Sequence, residues 1–77
     1  MTRDPVVIGR RLREAREAKG LSAPQLAAVS GVSACTVYGV ELGRNLPGLH
    51  TVVALCEVLG VTPNDLVKEE KNDHSES

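Results

Sequence analysis

Residues 25–43, QLAAVSGVSACTVYGVELG, decide the fold. Ser22, just upstream, is a helix N-cap, and Gln25 at the third helical position completes a capping box with it. Leu26, Ala27 and Val29 supply apolar contacts before Ser30-Gly31 stops that helix. Gly31 suits the left-handed backbone of a tight turn. Ser33 then caps a second short helix over about 34–42, with Val37 and Val40 facing inward and Gly43 ending it. Ala27 and Gly31 fall where the two helices are expected to cross closely. Two short capped helices joined by a glycine turn, with apolar anchors behind, form a helix-turn-helix unit.

The flanks repeat the same grammar. Asp4-Pro5 reads as an N-cap and first-turn proline, and Ile8, Leu12, Ala15 and Lys19 follow at helical spacing until Gly20. This predicts a helix over about 5–19, with Ile8 and Leu12 inward. Arg10, Arg11, Arg13 and Arg16 lie on its outer side, where Glu14 and Glu17 neutralise part of the charge. Leu46-Pro47-Gly48 is a loop. The series Leu49, Val52, Val53, Leu55, Cys56, Leu59 predicts a fourth helix ending at Gly60. Thr62-Pro63-Asn64-Asp65 starts a fifth, expected through about Leu66–Glu70. The expected fold is all-α: a compact five-helix bundle in one domain, 1–70, followed by a polar tail over 71–77 expected to be disordered.

The 77 residues suffice for one domain and leave little core for the walls of an enzyme cleft. Tyr38 is the one aromatic residue, so Leu, Val, Ile and Ala must fill the interior. No nucleophile–base or carboxylate pair stands out, so no enzyme is expected. Cys35 and Cys56 with His50 and His74 lack metal-ligand spacing, and no metal or cofactor is expected. Cys56 falls on an apolar helix face and reads as core, while His50 reads as solvated. No apolar run reaches the roughly 18 residues of a membrane span, and no signal peptide opens the chain. A cytosolic protein with reduced thiols is expected, and Met1 with the polar tail reads as a complete small protein. Residues 1–67 carry seven basic and six acidic groups, and residues 68–77 two basic and four acidic. This near-neutral balance is low for a protein that must offset phosphate charge.

The segments IGRRLREAREAKGLS, QLAAVSGVS, TVYGVELGRNLPGL and LCEVLGVTPNDL, in this order and spacing from about Ile8 to Val67, resemble the phage repressor and Cro-type helix-turn-helix family, also called XRE. The resemblance implies a lambda repressor-like domain that regulates transcription. It implies a homodimer on double-stranded operator DNA, with the third helix in the major groove. It also implies an ion pair between Arg16 and Glu41. Base-reading positions map to Ala34, Cys35 and Gly39, with Thr36 beside them. Phosphate candidates are Gln25, Ser33, Tyr38, Arg44, Asn45 and Arg16, with Arg10, Arg11 and Arg13 available if docking turns the first helix toward DNA.

The sequence departs from the family at its reading surface. Such positions commonly carry Gln, Arg, Asn or Ser, which bond base edges, whereas Ala34 and Gly39 offer no side-chain hydrogen bond. Ala23 stands where many members place a phosphate-binding glutamine. Two readings therefore stay open. One is a dimeric DNA-binding regulator, favoured by Arg44, Asn45 and the first-helix arginines. The other is a protein-interaction module of the antitoxin or regulator-sequestering kind, favoured by the small uncharged third-helix surface. Leu46 and Leu49, with Val61, Leu66 and Val67, form a candidate dimer patch. Tyr38 fits a phosphate bond, a stacking role, a partner surface or partial core packing.

Overall fold

The computed structural model describes residues 2–69, and among them every regular element is helical. The helices are α1 (Pro5–Ala18), α2 (Ala23–Ser30), α3 (Ala34–Glu41), α4 (Leu49–Leu59) and α5 (Pro63–Val67). The all-α five-helix reading holds. The expected tail, 71–77, and residue 70 lie outside the described residues.

Caps set the boundaries. The Asp4 carboxylate accepts the Val6 N–H at 2.9 Å, with Pro5 opening α1. Ser22 and Gln25 exchange both capping-box bonds, as do Thr62 and Asp65. The Thr62 N–H donating to Asp65 holds that carboxylate below the usual aspartate range, with the Thr62 hydroxyl adding to the effect. One expected boundary was displaced. α5 begins at Pro63, directly after its cap, and ends at Val67, where Lys68 is already extended. Arg11 explains the stop: its guanidinium donates to the carbonyls of both Leu66 and Lys68, gathering the end of α5 onto α1.

α1 packs on α3 and α5, α2 on α3 and α4, and α4 on α5. Leu12, Leu26, Val37, Val40, Leu55 and Leu66 are fully buried where these helices meet, and Ile8, Cys56 and Leu59 complete the core. Each large aliphatic side chain so buried contributes roughly 1.5–3 kcal/mol. Burial pushes the Cys56 thiol up from its ordinary range, so it stays protonated and inert. Val29, expected to supply an apolar contact, is 62% exposed. The two turns of α2 direct Ala23, Leu26 and Ala27 inward and leave Val29 on the opposite side.

Of the two small residues expected where α2 and α3 cross, Ala27 is buried, but Gly31 makes no close packing contact. A Cβ on Gly31 would meet nothing within 4 Å; the residue is needed for its φ of 76° at the end of α2. The tight approach is at Gly9, in the middle of α1. A Cβ there would lie 2.1 Å from the Val40 carbonyl oxygen and 2.9 Å from that of Glu41. A glycine inside a helix costs roughly 1 kcal/mol against alanine, and here its missing side chain lets α3 lie against α1.

Candidate nucleic-acid interface

α3 is held from behind by an ion pair. Arg16 Nε donates to Glu41 Oε2 at 2.7 Å and Nη2 to Oε1 at 2.9 Å, a two-pronged contact with the side chains 13% and 6% exposed. Arg16 Nη1 also donates to the Leu21 carbonyl at 2.8 Å, tying the α1–α2 connection into the same cluster. The bond to Glu41 raises the Arg16 pKa above its already high value, so its charge is permanent. The expected pair is present. Its geometry argues against the phosphate role also expected of Arg16, because the guanidinium is turned to acceptors within the fold.

At the other end of α3, the Ser33 hydroxyl accepts the Thr36 N–H at 3.1 Å and donates to the Thr36 hydroxyl at 2.8 Å. The cap therefore fixes the rotamers of both side chains. Gly31 and Val32 donate their N–H groups to the Ala27 carbonyl at 3.0 and 3.2 Å, closing the turn that aims α3. The sequence between caps thus specifies the angle of α3 as well as its extent.

The outward side of α3 is sparse. Cys35 is exposed and Tyr38 is 48% exposed, whereas Thr36 is half-buried. Ala34 is partly buried against the core, which reduces it as a base-facing residue. Gly39 is buried, contrary to its expected place on an open face. The Asn45 side chain lies over it, and a Cβ on Gly39 would come within 2.7 Å of Asn45 Nδ2. Beyond the helix, Arg44 is exposed and has no ion-pair partner among the described residues. Gln25 is exposed, with Oε1 accepting the Ser22 N–H at 2.8 Å, so its NH₂ group holds its remaining donors. The first-helix arginines contribute less than expected. Arg10 pairs with Glu14 at 3.9 Å and Arg13 with Glu17 at 3.0 Å, while Arg11 is committed to α5.

Gly9, Arg11 and the Gly39–Asn45 contact were missed in the sequence. Gly9 carried a signal, as a lone glycine inside an amphipathic helix. Arg11 had none, since its acceptors lie 55 and 57 residues away.

A family model described as a helix-turn-helix domain matches residues 7–68. The chain belongs to the XRE-type helix-turn-helix family of DNA-binding transcription regulators. Among solved structures of this kind, it is similar to the restriction-modification controller protein C.AhdI from Aeromonas hydrophila. The two are 43% identical with a TM-score of 0.78, covering 82% of this chain and 96% of that one. It is also similar to the P22 c2 repressor, solved in complex with a synthetic operator, at 25% identity and a TM-score of 0.77 over 83% of this chain and 97% of the repressor. A curated relative, the HTH-type transcriptional regulator DdrOP3 of Deinococcus deserti, is 34% identical over 58 residues. This chain spans 45% of the length of that relative. No helix among the described residues is long and apolar enough to cross a membrane.

Proposed function

We propose that this chain is a sequence-reading repressor that inserts α3, N-terminus first, into the major groove of operator DNA. The observation that carries the reading is how α3 is mounted. One side is locked by Arg16–Glu41 and the Gly9 crossing, while Cys35 and Tyr38 on the other side face solvent, with Arg44 at the exit of the helix. A helix pinned at a set angle with an open face is what groove docking requires. Similarity to a restriction-modification controller and to a repressor solved with its operator supports the same reading. In it, Arg44, Tyr38 and the Gln25 amide contact phosphates, and Cys35 and Thr36 meet base edges. With so few charged contacts, affinity is modest and DNA shape contributes to selectivity.

The active form in this proposal is a homodimer. Leu42, Leu46, Leu49 and Val53 are 61%, 53%, 76% and 40% exposed along the loop and the outer side of α4. An apolar run of this kind fits a second copy around a two-fold axis. It differs from the patch expected from sequence, because Leu66 is buried and Val61 and Val67 pack on the core.

The test is selection from random duplex DNA followed by binding across a salt series. The reading expects an enriched site with two-fold symmetry and affinity that falls steeply with salt. Arg44→Ala should lower affinity for every sequence and reduce the salt slope by about one. No enrichment, with weak binding alike for all sequences, contradicts the reading and favours a protein partner instead.

A further inference from the structure

On the α3 surface, Cys35, Gly39 and Leu42 share one stripe, four and then three residues apart. Cys35 and Leu42 are exposed, so helical geometry aims the position between them at solvent as well. Gly39 is nonetheless buried, and what buries it is the side chain of Asn45, from the loop after the helix. The loop backbone is drawn back to the same residue. Arg44 N–H donates to the Gly39 carbonyl at 2.9 Å and Asn45 N–H approaches it at 3.4 Å. Asn45 is itself exposed, and its carboxamide has no hydrogen-bond partner among the described residues.

We propose that Asn45 is the residue that reads a base at the site of position 39, its carboxamide standing in for the side chain that Gly39 lacks. The inference rests on α3 entering the major groove. It resolves the main oddity of this surface, a reading helix with small, uncharged residues at its reading positions. An asparagine carboxamide has one donor and one acceptor edge, which matches adenine N7 and N6 and no other base equally well. Gly39 is then a positioning residue. Any Cβ there meets Asn45 Nδ2 at 2.7 Å, and because that atom is the free end of a side chain, the carboxamide swings away while the helix stays intact.

The test compares base preference at every position of the selected site for the wild-type chain, Asn45→Ala, Asn45→Asp and Gly39→Ala. Asn45→Ala is expected to lose roughly tenfold or more discrimination at one base pair per half-site, an adenine pair, with the salt slope unchanged. Asn45→Asp, which only accepts, should move that pair toward cytosine. Gly39→Ala should lose preference at the same pair while melting no lower than wild type, since alanine favours the helix. That combination separates positioning from folding. If Asn45→Ala weakens all sequences alike and lowers the salt slope by about one, Asn45 is a phosphate ligand and the inference is overturned. It is also overturned if Gly39→Ala leaves every base preference intact. If the wild-type chain itself selects no sequence, the groove-docking reading fails first and the inference falls with it.

Discussion

The two sides of α3 are built on opposite plans. The inner side is crowded and redundant. Val37 and Val40 are fully buried, Gly9 lets α1 approach to the backbone, and Arg16 grips both oxygens of Glu41. The outer side has Cys35, a half-exposed Tyr38 and a glycine covered by a loop asparagine. The contrast shows where a domain of this size spends its specificity. Side chains behind the helix set its angle, and the reading surface is left thin enough for a residue from outside the helix to share it. Changes on the inner side should therefore act through stability, and changes on the outer side through DNA alone.

The largest effect is expected from Arg16→Ala. It leaves the nearly buried Glu41 carboxylate without its partner, a loss of about 3–5 kcal/mol. A double replacement, Arg16→Met with Glu41→Leu, should recover most of it. Urea unfolding of the wild type and these two variants checks this, and an unchanged midpoint for Arg16→Ala would break the proposed division between the two sides. Gly9→Ala comes next. The added methyl meets the carbonyls of Val40 and Glu41, so α1 and α3 must part, at about 2–3 kcal/mol by the same measurement. The same glycine-to-alanine change at Gly39, on the outer side, should cost no stability. That pair of substitutions is the sharpest form of the comparison.

Much of this architecture was legible in the sequence because it is local. Ser22 with Gln25, Ser33, and Thr62 with Asp65 announce helix starts within four residues, and Gly31 and Gly60 announce ends. What stayed hidden depends on distant partners. Arg11 looked like one more surface arginine until α5 folded back on it. Gly39 read as an empty base-facing position because nothing local indicates that Asn45 covers it. Val29 misled because an eight-residue helix has too few turns for its apolar face to be unambiguous. The Arg16–Glu41 pair, 25 residues apart, was visible only through family resemblance.

The smallest expected effect lies far from both sides of α3, in the α5 cap. Asp65 has its pKa lowered by the Thr62 N–H, so its contribution is present above the ordinary aspartate range and disappears as pH falls through the depressed value. Melting temperatures of wild type and Asp65→Asn should differ at neutral pH, draw together as pH drops below about 3.9, and converge only below the depressed value. A gap that persists unchanged into acid would mean that the carboxylate charge is not what the cap uses.

Alkylation of the native cysteines tests the central claim most directly, that the outer face of α3 meets DNA. Cys35 is exposed on that face, and Cys56 is 2% exposed in the core with its thiol held protonated. A thiol reagent should therefore label the folded protein at Cys35 alone. With the selected duplex bound, labelling of Cys35 is expected to slow at least tenfold, and protein already labelled there should bind that duplex poorly. Equal labelling rates with and without saturating DNA, together with full binding by the labelled protein, would contradict the account.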